Sequence, residues 1–201
     1  SSHQKLKLSK DQGDIGNLEM IVITSRDPAP STLEYHQSSG GLFRDCTIHD
    51  FDLSRFLLGE DPIIEITAYA TNLFDKDLKK IGDHDTAMIL MKSKKGVLIH
   101  INNSRRSVYG YDQRVEIFGS KGMLISNNQT PTSVEKFNSN GTFVKDPILD
   151  FFIERFDQAY KNQLEDFVNR VSNIETISVK YEDGRIALII ANAAYESLKK
   201  N

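Results

Sequence analysis

Through most of this chain apolar positions alternate with polar ones, and toward its end they recur every third or fourth residue instead. Val97, Ile99 and Ile101 fall on one side of their segment and His100 and Asn102 on the other, and Val115 and Ile117 do the same against Arg114 and Glu116. A period of two with one apolar side is a strand with one face buried. Between Pro62 and Leu149 such runs follow one another: IIEITAYATNL, TAMILMKS, GVLIHINNS, RVEIFGS, GMLISNN, SVEKFNS and TFVKDPIL. Turns such as KSKKG, GSKG and NSNG separate them, which predicts consecutive antiparallel strands in a meander. Asn17 to Pro28 reads as an earlier strand, stopped by a proline that cannot donate to a ladder.

From Asp150 the period changes. Phe152, Phe156, Tyr160, Leu164, Phe167 and Val171 are spaced by threes and fours, the stripe of a long amphipathic helix. A short strand, TISVKY, then leads to a second helix from about Asp183 to Lys199, whose apolar face suits packing on a sheet. Asp45 to Leu58 contains no Gly or Pro and is followed by Gly59, so it reads as one helix; the polar APSTLEYHQSSGG before it reads as a surface loop. The opening HQKLKLSKDQGDIG looks like the last turns of a helix entering a loop, as if the chain began in mid-element. Strands followed by helices predict an α+β fold: an open, predominantly antiparallel sheet with helices packed on one face.

Composition narrows the function classes. With 201 residues, a net charge of -3 and 28 acidic against 25 basic residues, the chain has enough length for one core and no basic excess of the kind that marks a nucleic-acid binder. Cys46 is the only cysteine, which excludes an internal disulfide and a thiolate metal cage and favours a reducing compartment, the cytoplasm. No apolar run approaches the roughly 20 residues of a membrane helix, and SSHQKLKLSK lacks a signal region, so no membrane partner is expected.

Charge is concentrated in GGLFRDCTIHDFDLSRFLLGE. On one continuous helix Asp45, His49, Asp52 and Phe56 lie within an arc of about 60°, with Asp50 pointing away. A carboxylate one turn from an imidazole raises the ring's pKa and suits a general base that takes a proton from an alcohol. On residue chemistry alone the plainer account is stronger: Asp45 caps the helix and His49 forms a surface pair. A metal site from His49, Asp50 and Asp52 with Asp83, His84 and Asp85 lacks any recognised ligand spacing. Cys46 is a conceivable nucleophile, but a lone buried thiol is more commonly inert. The cluster NNSRRSVYGYDQR offers donors and acceptors for a polyhydroxylated ligand, or equally a solvated hairpin. Asp27 in SRDP reads as a turn cap or a polar group at a strand end. FGSKG has neither the spacing nor the strand-to-helix setting of a dinucleotide loop.

Taken together and in order, SRDPAP, GGLFRDCTIHDFDLSRFLLG, INNSRRSVYGYDQRVEIFGSKGML and FIERFDQAYKNQLEDFV resemble the C-terminal domain of the Gfo/Idh/MocA oxidoreductases, and within them the myo-inositol 2-dehydrogenases, from about Asp14 onward. The resemblance implies a dihydrodipicolinate-reductase-like substrate and oligomerisation domain over 14–201, with 1–13 left over from a Rossmann half that this sequence does not contain. It implies oxidation of a secondary alcohol of a polyol, with NAD or NADP bound mainly by that missing half. By the same resemblance His49 takes the hydroxyl proton, Asp45 supports it and holds a substrate hydroxyl, and Asp27 and one of Tyr109 and Tyr111 contact substrate. Tyr160 is a further candidate contact. A homo-dimer or homo-tetramer through the open sheet face is implied as well. The glycine-rich turn and the family's catalytic lysine belong to the missing half, so this chain alone is expected to be inactive and to bind NAD poorly. A sugar dehydrogenase of the same family and a non-catalytic oligomerisation scaffold are the competing readings.

Overall fold

The alternating segments are strands in the computed structural model, which describes residues 2–173 and 179–200. In chain order the elements are α1 (Ser2–Asp11), β1 (Leu18–Arg26), α2 (Leu33–Ser39), α3 (Leu42–Asp45), α4 (Thr47–Leu58), β2 (Ile63–Thr71), α5 (Lys76–Lys80), β3 (Thr86–Ser93), β4 (Leu98–Ser104), β5 (Asp112–Gly119), β6 (Gly122–Ser126), β7 (Glu135–Asn138), β8 (Gly141–Lys145), α6 (Phe152–Asn173) and α7 (Tyr181–Leu198). Six strands form one sheet in the order β2-β3-β4-β1-β5-β6, and β7 and β8 form a separate hairpin.

The sheet is not the simple meander expected from the turns. β1 inserts between β4 and β5, antiparallel to β5 but parallel to β4, with Ile21 opposite Ile99 and Ile117. Every other pairing is antiparallel. Local alternation tells each strand which face to bury, but not which neighbour to take, because that choice is made by segments distant in sequence.

Burial follows the period of two. In β3, Ala87, Ile89 and Met91 are buried while Met88 and Leu90 are exposed. Helices α1, α4 and α7 pack on the sheet or on one another, and Ile21, Ile23, Ile101, Phe51, Leu57 and Ala191 belong to the shared core. Burying a side chain such as Phe51 contributes about 1.5–3 kcal/mol from the removal of apolar surface from water. The opposite face stays open and carries an apolar row, Leu98, Met20, Phe118 and Met123, in cross-strand register over four strands.

Two local readings are corrected. The segment expected to be a surface loop holds α2, because Thr32 caps its start by accepting from the Tyr35 amide, Gly40 ends it in the left-handed region at φ 90°, and His36 buries its ring. The turn-forming residues flank the helix rather than replace it. The single helix expected over 45–58 is two, broken at Cys46. Helix α6 forms as its periodicity predicts, yet Leu164, Phe167 and Val171 of its stripe are exposed, while Phe152 and Phe156 on its first turns are half-buried. The strand expected over 176–181 falls largely outside the described residues, and Tyr181 opens α7.

Candidate active site

The parallel strands β1 and β4 end side by side, and the Asp27 amide donates to the Ser104 carbonyl at 3.0 Å. Because successive strand residues face opposite sides, Asp27 lies on the side of Ile21 and Ile23, which the helices cover, whereas Arg26 lies on the open side. The Cys46 thiol donates to Asp27 Oδ2 at 3.4 Å. Burial raises the proton affinity of Asp27. The thiol and the charges of Arg105 and His49 oppose that rise, and the charge of Asp45 adds to it. The same burial, together with the charge of Asp27, holds the Cys46 thiol well above its usual range, so it is an inert hydrogen-bond donor here.

Asp45 closes α3. Its Oδ1 accepts from the Tyr35 hydroxyl at 2.6 Å, and its Oδ2 accepts from Arg105 at 2.9 Å. The Tyr35 phenol is pushed up to about 12, first by that hydrogen bond to Asp45. Arg105 is 2% exposed and spans two acids, donating also to Asp83 Oδ2 at 3.0 Å and, through Nε, to the His84 carbonyl at 3.2 Å. The break at Cys46 separates Asp45 from α4, where the His49 amide donates to the Cys46 carbonyl at 3.3 Å and its exposed side chain makes no hydrogen bond or ion pair among the described residues. No hydrogen bond or ion pair joins the side chains of Asp45 and His49. Both residues gather around Asp27, but the carboxylate of Asp45 is committed to Arg105 and Tyr35.

Asn103 ties the site to the sheet. Its amide donates to Asp50 Oδ2 at 2.7 Å and to the Ser25 carbonyl at 3.3 Å, and its oxygen accepts from the Thr47 hydroxyl at 2.7 Å. Burial pushes the Asp50 carboxyl up to about 7, against the lowering effect of the Asn103 hydrogen bond. As anticipated from the helix period, Asp50 points away from His49's exposed side and into the fold.

The two tyrosines part company. Tyr109 donates to Asp112 at 2.6 Å and accepts from Arg26 at 3.0 Å, which anchors it on the open side of the sheet. Tyr111 lies on the side of Asp27: burial first, then the charges of Asp27 and Asp50, raise its phenol above the usual range, and its ring packs edge-on against Phe151 and Phe156. Tyr160 is half-exposed on α6, and its side chain makes no hydrogen bond or ring contact among the described residues.

Arg105 and Arg106, read from the sequence as ligand-binding chemistry, do other work. Arg105 is the buried clamp, and Arg106 stacks over the Phe74 ring at 4.0 Å. Asp83 and Asp85 spend their oxygens on local structure, Asp85 accepting from the amides of Leu73, Phe74 and Asp75. Sequence reasoning missed Asn103 and Arg105 as organising residues. The signal was present: the buried alternation Val97, Ile99, Ile101 continues through both. A cleft of about 570 Å³ lies elsewhere, lined by residues including His36, Gly41, Arg44 and Tyr195, and by none of the candidate site residues except through Asp83, the far arm of the clamp.

An exposed imidazole beside two carboxyl groups of unlike surroundings and a phenol is equipped to hydrogen-bond a hydroxylated ligand and to accept a proton from it. A dinucleotide is not provided for. The Gly-Ser-Lys-Gly sequence closes the β5–β6 hairpin, and no glycine-rich turn leads from a strand into a helix among the described residues to cradle a pyrophosphate.

Residues 3–125 match a model of the GFO/IDH/MocA C-terminal domain. An inositol 2-dehydrogenase of Rhizobium meliloti is 44% identical over 188 residues, covering 94% of this chain and 56% of its own length. The crystal structure of a myo-inositol dehydrogenase from Corynebacterium glutamicum superposes with a TM-score of 0.95 at 45% identity, over 99% of this chain and 59% of that one. That of a scyllo-inositol dehydrogenase from Lactobacillus casei, with bound NAD(H) and scyllo-inositol, gives 0.90 at 31% identity, over 100% of this chain and 60% of that one. The chain thus spans somewhat more than half of each relative, and on the strength of its sheet order, its site and these matches it belongs to the Gfo/Idh/MocA family as an example of that family's C-terminal domain.

Proposed function

We propose that this chain is the substrate-side domain of a dehydrogenase that oxidises a secondary alcohol of a cyclitol to a ketone, with NAD or NADP as hydride acceptor. The observation that carries the reading is the convergence of an exposed His49 with Asp27, Asp45 and Tyr111 where β1 meets the α3–α4 joint. The inositol dehydrogenases among its relatives, one of them solved with NAD(H) and scyllo-inositol, support the substrate class. No cradle for the dinucleotide forms among the described residues, and the chain spans 56–60% of its relatives' length, so we assign the cofactor to a nucleotide-binding half outside this sequence, with 1–13 as the run-in and 14–201 as the substrate and oligomerisation domain.

In this reading His49 accepts the proton of the reacting hydroxyl. Asp45, oriented by Arg105 and Tyr35, and Asp27 accept hydrogen bonds from hydroxyls of the ring, and Tyr111 bounds the pocket. Tyr109 and Tyr160 are outer contacts reached only if substrate or a neighbouring part of the protein extends toward them. The apolar row on the open face supports a homo-dimer or homo-tetramer, since a contiguous exposed apolar patch of this kind marks an interaction site. A single free thiol, and no helix among the described residues long and apolar enough to cross a membrane, fit a cytoplasmic enzyme.

The test is His49→Ala in the protein that joins this chain to its nucleotide-binding half, assayed on a panel of inositols and sugars. The expected result is a fall in turnover of about 10²-fold or more, with the largest rates of the unaltered protein on an inositol. Turnover that survives the substitution removes His49 as the proton acceptor.

A further inference from the structure

Among the described residues the His49 ring has no hydrogen bond or ion pair, so its place is set by the helix that carries it. That helix does not inherit its position from α3, because the two are broken apart at Cys46. Phe51 and Leu57 bury α4 in the core, but apolar contact is non-directional and sets a helix's burial more firmly than its rotation or its register. Hydrogen bonds, which demand particular distances and angles, fix those two.

Asn103, buried on β4, supplies them. Its oxygen accepts from the Thr47 hydroxyl and its amide donates to Asp50 Oδ2, each at 2.7 Å. Thr47 and Asp50 are three residues apart, so they share one face of the first turn of α4, and His49, a step of roughly 100° from Asp50, is turned off that face. The same amide donates to the Ser25 carbonyl on β1 at 3.3 Å, two residues before Asp27. Among the described residues no other side-chain hydrogen bond joins α4 to the sheet. The carboxyl of Asp27 feels the charge of His49, and that of Asp50 feels the charge of Asp27, so the three converge at this junction.

We propose that Asn103 is a positioning residue for the reaction: by gripping Thr47 and Asp50 on α4 and the Ser25 carbonyl on β1, it fixes where α4 holds His49 relative to the end of β1. The inference rests on the reading of His49 as the proton acceptor. A general base acts only within hydrogen-bond reach of the proton it takes, and a misplacement of about 1 Å can cost about 10²-fold in rate. Loss of Asn103 therefore falls on turnover and not on the binding of ring hydroxyls by Asp27 and Asp45.

The experiment is steady-state kinetics on myo-inositol and NAD with the protein that joins this chain to its nucleotide-binding half. Asn103→Ala is expected to lower kcat about 10- to 100-fold while KM changes less than about threefold. Because that variant strands two buried polar groups and can fail to fold, Thr47→Val, which keeps the shape and removes one tie, is the second variant, with a smaller fall in kcat at unchanged KM. The exchange Asn103→Asp with Asp50→Asn restores a donor and an acceptor with their places reversed and keeps the Thr47 bond; it is expected to recover kcat to within about threefold. In the His49→Ala background Asn103→Ala is expected to cost less than about threefold more, since it acts through His49. An unchanged kcat in the folded variants, a fall that the exchange does not recover, or a full further loss without His49 overturns the proposal. So does a fall that only tracks the unfolded fraction seen by circular dichroism, which is all that a structural role would give. If His49→Ala itself leaves turnover intact, the reading beneath fails; if His49→Ala abolishes turnover and Asn103→Ala does not lower it, this inference alone fails.

Discussion

The side-chain amide of Asn103 donates to the carboxyl of Asp50 at 2.7 Å, at a point where both side chains are buried between β4 and α4. Burial pushes that carboxyl from its ordinary 3.8 up to about 7. The folded protein therefore keeps a proton that the unfolded chain releases between those two values, and this group's contribution to stability falls as pH rises through that window. The loss is complete above the upper value and is of the order of a few kcal/mol. Asp50→Asn preserves an acceptor for Asn103 and has no proton to lose. Denaturant melts at a series of pH values are expected to show the wild type declining relative to Asp50→Asn from about pH 4 to about pH 7. Curves that run parallel over that range would mean that Asp50 does not change its proton affinity on folding.

The two phenylalanines of α4 face different surroundings. Phe51 is 0% exposed and Phe56 is 43% exposed, so only the first leaves a cavity when truncated. Phe51→Ala is expected to cost about 3–5 kcal/mol in urea unfolding, and Phe56→Ala less than about 1 kcal/mol. Equal losses would show that the outer ring is covered in solution by something packed against this helix.

Leu90 lies on the open face of the sheet beside His100, one row from Leu98, Met20 and Phe118. If that face joins two copies, Leu90→Glu places a charge in a desolvated contact and is expected to lower the assembly to a smaller species in sedimentation, with the circular dichroism of the sheet unchanged. An unchanged sedimentation coefficient would move the subunit contact elsewhere.

How much of this was legible in the chain can be judged from particular residues. The alternation around Ile99 and Ile101 identified strand, face and buried side correctly, because side-chain direction in a strand has a strict period of two. The spacing of Phe152 through Val171 identified a helix for the same kind of reason, a period set by backbone hydrogen bonding. The ordered motifs were enough to name the family, since several blocks at fixed separations are more specific than any one of them.

What the period could not carry was partnership. That β1 enters the sheet parallel to β4, that Tyr109 and Tyr111 fall on opposite sides of it, and that Arg105 leaves the surface to bind Asp45 and Asp83 are relations between segments far apart in sequence. The break at Cys46 belongs with them: a uniform run of helix formers predicts one helix, and hydrogen bonds from Arg105 and Tyr35 to Asp45 on one side and from Asn103 to Asp50 on the other favour two. Local sequence determined which residues turn inward. Only the tertiary structure decided whom they meet there, because a buried polar group takes its energy from the partner that replaces water, and that partner is supplied by the fold.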